Sequence, residues 1–64
     1  MSKEREEIRK KIQSLKEERE RVLDLRVFYG EQGYRSSSNK LLLKADSLKY
    51  TIADLQNTLA DLKE

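Results

Sequence analysis

The sequence predicts an all-α fold: an antiparallel two-helix coiled-coil hairpin that pairs with a second copy into a four-helix bundle. Three observations carry this reading. The second half holds an apolar stripe, Leu41, Ala45, Leu48, Ile52, Leu55, Leu59 and Leu62, whose steps alternate between four and three residues like the a/d seam of a heptad. The first half holds a weaker seam of the same spacing, Ile8, Ile12, Leu15, Arg19, Val22, Arg26 and Tyr29. Between them lie both glycines, Gly30 and Gly33, and a run of serines, and the chain has no proline.

The first helix is expected over about 3–29. Ser2 is placed to cap it, and Glu4, Glu6 and Glu7 suit the positive end of the helix dipole. Gly30 is expected to end it, because glycine accepts the left-handed conformation at low cost. The connection then spans about 30–38, an ordinary length between helices. Ser36, Ser37, Ser38 and Asn39 are all suitable caps for the second helix, expected over about 39–63. Most other residues are Leu, Lys, Glu, Arg and Ala, which favour helix. Residues 1–64 thus read as one hairpin domain.

The register follows from arithmetic. In an antiparallel pair an a residue faces a d residue, so the numbers of facing residues add to a constant. A constant of 67 gives the layers Ile8–Leu59, Ile12–Leu55, Leu15–Ile52, Arg19–Leu48, Val22–Ala45 and Arg26–Leu41. It sets Lys3 against Glu64 and puts the reversal between Gly33 and Tyr34. A constant of 74, one heptad further, drags the turn toward Lys40. Arg19 and Arg26 are expected to lay their stems along the seam, with their charged heads in water or on a carboxylate.

Composition excludes more than it identifies. With 64 residues, a single core stabilises only marginally, so self-association or a bound partner is expected. There is no cysteine and no histidine, which rules out disulfides, zinc fingers, thiolate nucleophiles and imidazole bases within one chain. The serines have only Lys, Asp and Glu as potential bases, and neighbours such as Glu17 and Glu18 point in different directions. No enzyme activity, cofactor or metal is expected. No apolar run is long enough to span a membrane and no signal segment opens the chain, so a cytoplasmic location is the expectation.

The binding surface expected from the sequence lies near the loop. Leu23, Leu25, Val27, Phe28, Leu42 and Leu43 fall off the seam, and fully burying side chains of this size contributes about 1.5–3 kcal/mol each. Phe28, Tyr29, Tyr34, Arg35, Leu42 and Leu43 are the expected partner-binding residues, with aromatic anchors of the kind enriched in interface hot spots. A stripe of small residues behind the leucine seam, Tyr50, Ala53, Asn57 and Ala60, is a lesser candidate.

The alternative reading is a nucleic-acid binder using Arg5, Arg9, Lys10, Lys16 and Arg21. The net charge is only +2, from 14 basic and 12 acidic residues. Glu6, Glu7 and Glu17 stand four residues before Lys10, Lys11 and Arg21, the spacing of intrahelical ion pairs that cancel the local field. The stretch Tyr34-Arg35-Ser36-Ser37-Ser38 is a weak anion-site candidate at a helix start. The leading expectation is a non-enzymatic homodimer that binds another protein, a small regulatory or inhibitory accessory factor of the kind a phage encodes. A purely structural spacer is the third reading.

In length and predicted architecture the chain resembles two kinds of small hairpin. One is the plasmid copy-number proteins, four-helix-bundle dimers that bind paired RNA loops. The other is the sporulation-associated phosphatases that act on phosphorylated response regulators. The phosphatases' Ser-Gln-Glu-Leu-Asp signature is missing, the nearest stretch being Ala45-Asp46-Ser47-Leu48-Lys49. The RNA binders' motif residues find no counterpart either, so the resemblance implies no residue roles.

Overall fold

The computed structural model describes residues 3–62 as two helices, α1 (Lys3–Glu31) and α2 (Arg35–Asp61). They lie side by side and antiparallel in a rod 50 Å long and 14 by 9 Å across. The expected Ser2 cap, the Lys3–Glu64 pairing and the extension of the second helix to Lys63 fall outside the described residues.

All fourteen seam positions are buried or half-buried. Only five other described residues are half-buried, the rest being exposed: Arg5, Glu18, Leu23, Ser38 and Leu42. Arg5 and Ser38 extend the two seams by one further step each. The most deeply buried side chains are Ile12, Val22, Ala45 and Ile52, of which Ala45 is wholly inaccessible. Hydrogen bonds that tie the helices together join residue 5 to 62 and 59, and residue 38 to 26. Those numbers add to between 64 and 67, reaching the expected constant and falling well short of 74. The register read from the heptads is the register of the fold.

The turn is tighter than expected. Gly30 does not end α1, which runs on through Glu31, and the connection is Gln32–Tyr34 rather than 30–38. Gly33 is the residue with positive φ, +86°. Around it the Tyr34 N–H donates to the Tyr29 carbonyl at 2.9 Å and the Gly33 N–H to the Gly30 carbonyl at 3.1 Å. This pair of bonds is the Schellman motif, in which a left-handed residue lets the chain satisfy the last helix carbonyls as it leaves. The apolar contact that accompanies such a motif is also present, since the Tyr34 ring meets the Tyr29 ring edge-on at 6.2 Å.

Because Gly33 reverses the chain in one residue, α2 starts at Arg35, four residues earlier than expected. The serines and Asn39 therefore cap nothing. Tyr34 occupies the cap position and makes no side-chain cap bond. Ser38 instead donates from Oγ to the Arg26 carbonyl across the helix pair, at 3.2 Å. Gly30 lies beside that contact, where a Cβ would sit 3.6 Å from Ser38 Oγ, an ordinary packing distance.

Arg19 and Arg26 are half-buried, and the Nε of each is buried without a hydrogen-bond partner. Among the described residues no carboxylate pairs with either. The stems do cover the seam, as a long cationic side chain can. No carboxylate takes up the head, and an N–H on each is stranded beneath the surface, which costs stability.

Two predictions follow from this turn and this seam. Gly33→Ala should lower stability by about 1–2 kcal/mol, the cost of a left-handed alanine, whereas Gly30→Ala should raise it by about 0.5–1 kcal/mol. Paired urea melts check the opposite signs. Arg26→Leu should raise stability by about 1 kcal/mol, because it fills the Leu41 layer and removes the stranded Nε; a lower melting temperature for this variant would contradict the packing described.

Candidate functional site

Large apolar side chains left in water concentrate at the loop end of the rod. Leu25, Val27, Phe28, Tyr34 and Leu43 are between 46% and 69% exposed, and only Tyr50 shares that state elsewhere among the described residues. The local cause is the segment Val22-Leu23-Asp24-Leu25-Arg26-Val27-Phe28-Tyr29, which is apolar around most of its circumference. A helix pair covers one stripe of such a segment and leaves the rest in solvent. Helical spacing puts Phe28 on the outer side of α1 and Leu43 on the outer side of α2, with Tyr34 at the tip. The apolar surface is therefore a collar around the loop end rather than one flat patch.

The expected partner-binding residues divide within this collar. Phe28 meets Tyr29 edge-on at 5.6 Å, and Tyr29 meets Tyr34, so the three aromatics form a continuous row over the turn. Tyr29 is half-buried as the last seam residue of α1, and its partner Tyr34 belongs to the turn motif. Arg35 is exposed as the first residue of α2. Leu42 is half-buried and Leu43 exposed. Leu25 and Val27 are as open as Phe28 and belong to the collar too. Their position off the seam was legible in the sequence, though neither stands out as an anchor by residue type.

The cations of the nucleic-acid alternative do not form one surface. Arg5 lies on the seam line, where its Nη1 donates to the Leu59 carbonyl at 3.3 Å and to the Leu62 carbonyl. It thus reaches carbonyls of the last turn and the C-cap of α2 and places a cation at the negative end of the dipole. Lys10 pairs with Glu6 at 3.8 Å. The other two expected pairs do not close, and Glu17 instead accepts from Gln13 Nε2 at 3.3 Å. Arg9 and Lys16 share one flank of the hairpin, while Arg21 projects from the outer side of α1. Ser36 and Ser37 are exposed in the first turn of α2, which has no acidic residue.

A groove of about 430 Å³ runs between the helices along one flank. Lys16, Arg19 and Glu20 line it from α1, and Lys49, Ile52 and Ala53 from α2, with Gln56 at its far end. Among the described residues no cluster of acidic side chains suited to a metal ion occurs. No helix of the described residues is long and apolar enough to cross a membrane. The chain matches no protein-family model, no curated protein and no solved structure.

Arg5→Ala should cost about 1 kcal/mol by leaving the carbonyls of Leu59 and Leu62 without a cationic donor. Chemical denaturation should show the loss. Added salt should narrow the difference between wild type and variant, because part of the interaction is charge with dipole.

Proposed function

We propose that the chain is a non-enzymatic protein-interaction module, a small regulatory or inhibitory accessory protein that acts through its loop-proximal end and associates with a second copy into a four-helix bundle. The apolar collar carries this reading. Five large apolar side chains kept in water near the turn, with a single counterpart elsewhere among the described residues, mark a surface that gains free energy by being covered.

Area supports the same conclusion. A compact monomer of 7.6 kDa exposes about 4,300 Å², whereas this chain exposes 5263 Å². The excess of about 1,000 Å² is close to what one partner contributes to a stable interface. Side chains around the whole circumference suit a second hairpin packed alongside, or a concave partner that receives the tip. Phe28, Leu43, Leu25 and Val27 supply the contact, while Tyr29 and Tyr34 hold the turn that presents it. Alanine at either tyrosine would therefore confound binding with turn stability, and Phe28 and Leu43 are the better positions to change.

Sedimentation equilibrium tests self-association directly. Wild type should approach twice 7.6 kDa at micromolar concentrations and lose helicity on dilution. Phe28→Ser combined with Leu43→Ser should shift the mass toward the monomer while concentrated samples keep their helical circular dichroism. A wild-type chain that stays monomeric and fully helical at every concentration would remove the bundle. Unchanged association in the double variant would remove the collar as its contact.

A further inference from the structure

The flank groove carries charge that the hairpin does not use. Four of its lining residues are ionised, Lys16, Arg19 and Lys49 against Glu20, a net charge of +2. The whole chain has 14 basic and 12 acidic residues, so removing these four leaves 11 of each. One groove therefore holds the chain's entire net charge.

Three further observations set this groove apart. Lys16 and Lys49 stand four residues beyond the seam residues Ile12 and Ala45, on flanking positions that face each other across the hairpin. Coiled coils ordinarily place opposite charges at such positions; here like charges meet. Among the described residues, no carboxylate forms an ion pair with Lys16, Arg19 or Lys49. The Nε of Arg19 is buried with no acceptor, and a guanidinium cannot shed its charge to relieve that. On the other flank of α2, by contrast, Thr51 and Thr58 spend their hydroxyls on the carbonyls of Ser47 and Asp54.

The shape of the surface selects the occupant. Ile52 and Ala53 give the groove an apolar wall, and the half-buried pair Leu23 and Leu42 continues the same flank toward the loop. From Leu42 to Gln56 this strip is about 20 Å long, the length of a helix of roughly fourteen residues. It is open along that length, whereas small-molecule sites enclose most of their ligand. A second copy of the chain would bring +2 against +2.

We propose that this flank docks an acidic amphipathic helix of a partner protein. Its apolar stripe lies on Leu23, Leu42 and Ala53, over the buried Ile52 at the floor of the groove, and its carboxylates accept from Lys16, Arg19 and Lys49. The proposal rests on the reading of the chain as a protein-interaction module but centres on the flank groove, which meets the collar only at Leu42.

The probe is a fluorescein-labelled helical peptide of about sixteen residues, with leucines along one face and glutamates beside them. Its twin carries glutamine for every glutamate. The full-length chain should bind the glutamate peptide at least about tenfold more tightly than the twin, one charge-assisted hydrogen bond's worth of free energy, and less tightly as salt is added. Lys16→Gln with Lys49→Gln should erase that preference, and Arg19→Met, which keeps the stem, should reduce it. Lys40→Gln with Lys44→Gln, away from the groove, should not. On binding, the Arg19 Nε–H resonance of the wild-type chain should shift.

Equal affinity for the two peptides, or a preference that survives in the Lys16/Lys49 variant, would overturn the proposal. So would displacement of the peptide by inorganic phosphate alone, which marks a small-anion site, or by a short RNA duplex, which marks a nucleic-acid surface. Phe28→Ser with Leu43→Ser serves as a parallel arm. Loss of peptide binding there, with the groove variants unaffected, sinks the groove and leaves the interaction module standing.

Discussion

The reversal at Gln32–Tyr34 admits one alignment of the two heptad seams, and the rest of the molecule depends on it. A slip of one heptad would pull α2 away from its partner by about 10 Å and unpair both ends. With the turn closed by Gly33 and by the Tyr29–Tyr34 contact, Val22 comes opposite Ala45 and Arg5 reaches the last carbonyls of α2. The two ends of the rod are thus fastened by different chemistry. Left-handed glycine and aromatic packing serve the loop end, and a cationic side chain on the terminal carbonyls serves the open end.

That alignment spends apolar and charged residues unevenly. Two of the seam positions on α1 hold arginine, while leucine, valine and phenylalanine sit outside the seam a few residues away. A sequence selected for the isolated hairpin alone would exchange them, since a stranded Nε lowers the stability of a lone helix pair and Phe28 outside the seam contributes only part of its apolar area to it. The collar and the basic groove are the two places where the hairpin's own contacts stop short, one in apolar area and the other in charge.

These two surfaces differ in physical character. Apolar area around the tip is non-directional and accepts any complementary shape, including a second copy. Like charges facing across a groove repel a second copy and favour an anionic occupant, which gives the flank selectivity that the collar lacks. A small hairpin can in this way use its end for strength of association and its side for choice of partner.

The sequence by itself determined the helices, the seam and the register, because heptad spacing states which residues must be hidden and antiparallel arithmetic states which of them meet. It contained a conflict about the turn: the register placed the reversal after Gly33, while helix-ending rules favoured Gly30. Both glycines lack a Cβ, so local sterics do not choose between them. The choice belongs to the tertiary structure, in which a ring at Tyr34 can close on Tyr29 only if Gly33 takes the positive φ. The same holds for function. Surplus leucines near the loop were visible along the chain, and the collar they form needed the two helices side by side. The register already brings Lys16 near Lys49 across the pair, but the open space between them and the stranded Arg19 Nε belong to the packed side chains and are not written in the spacing.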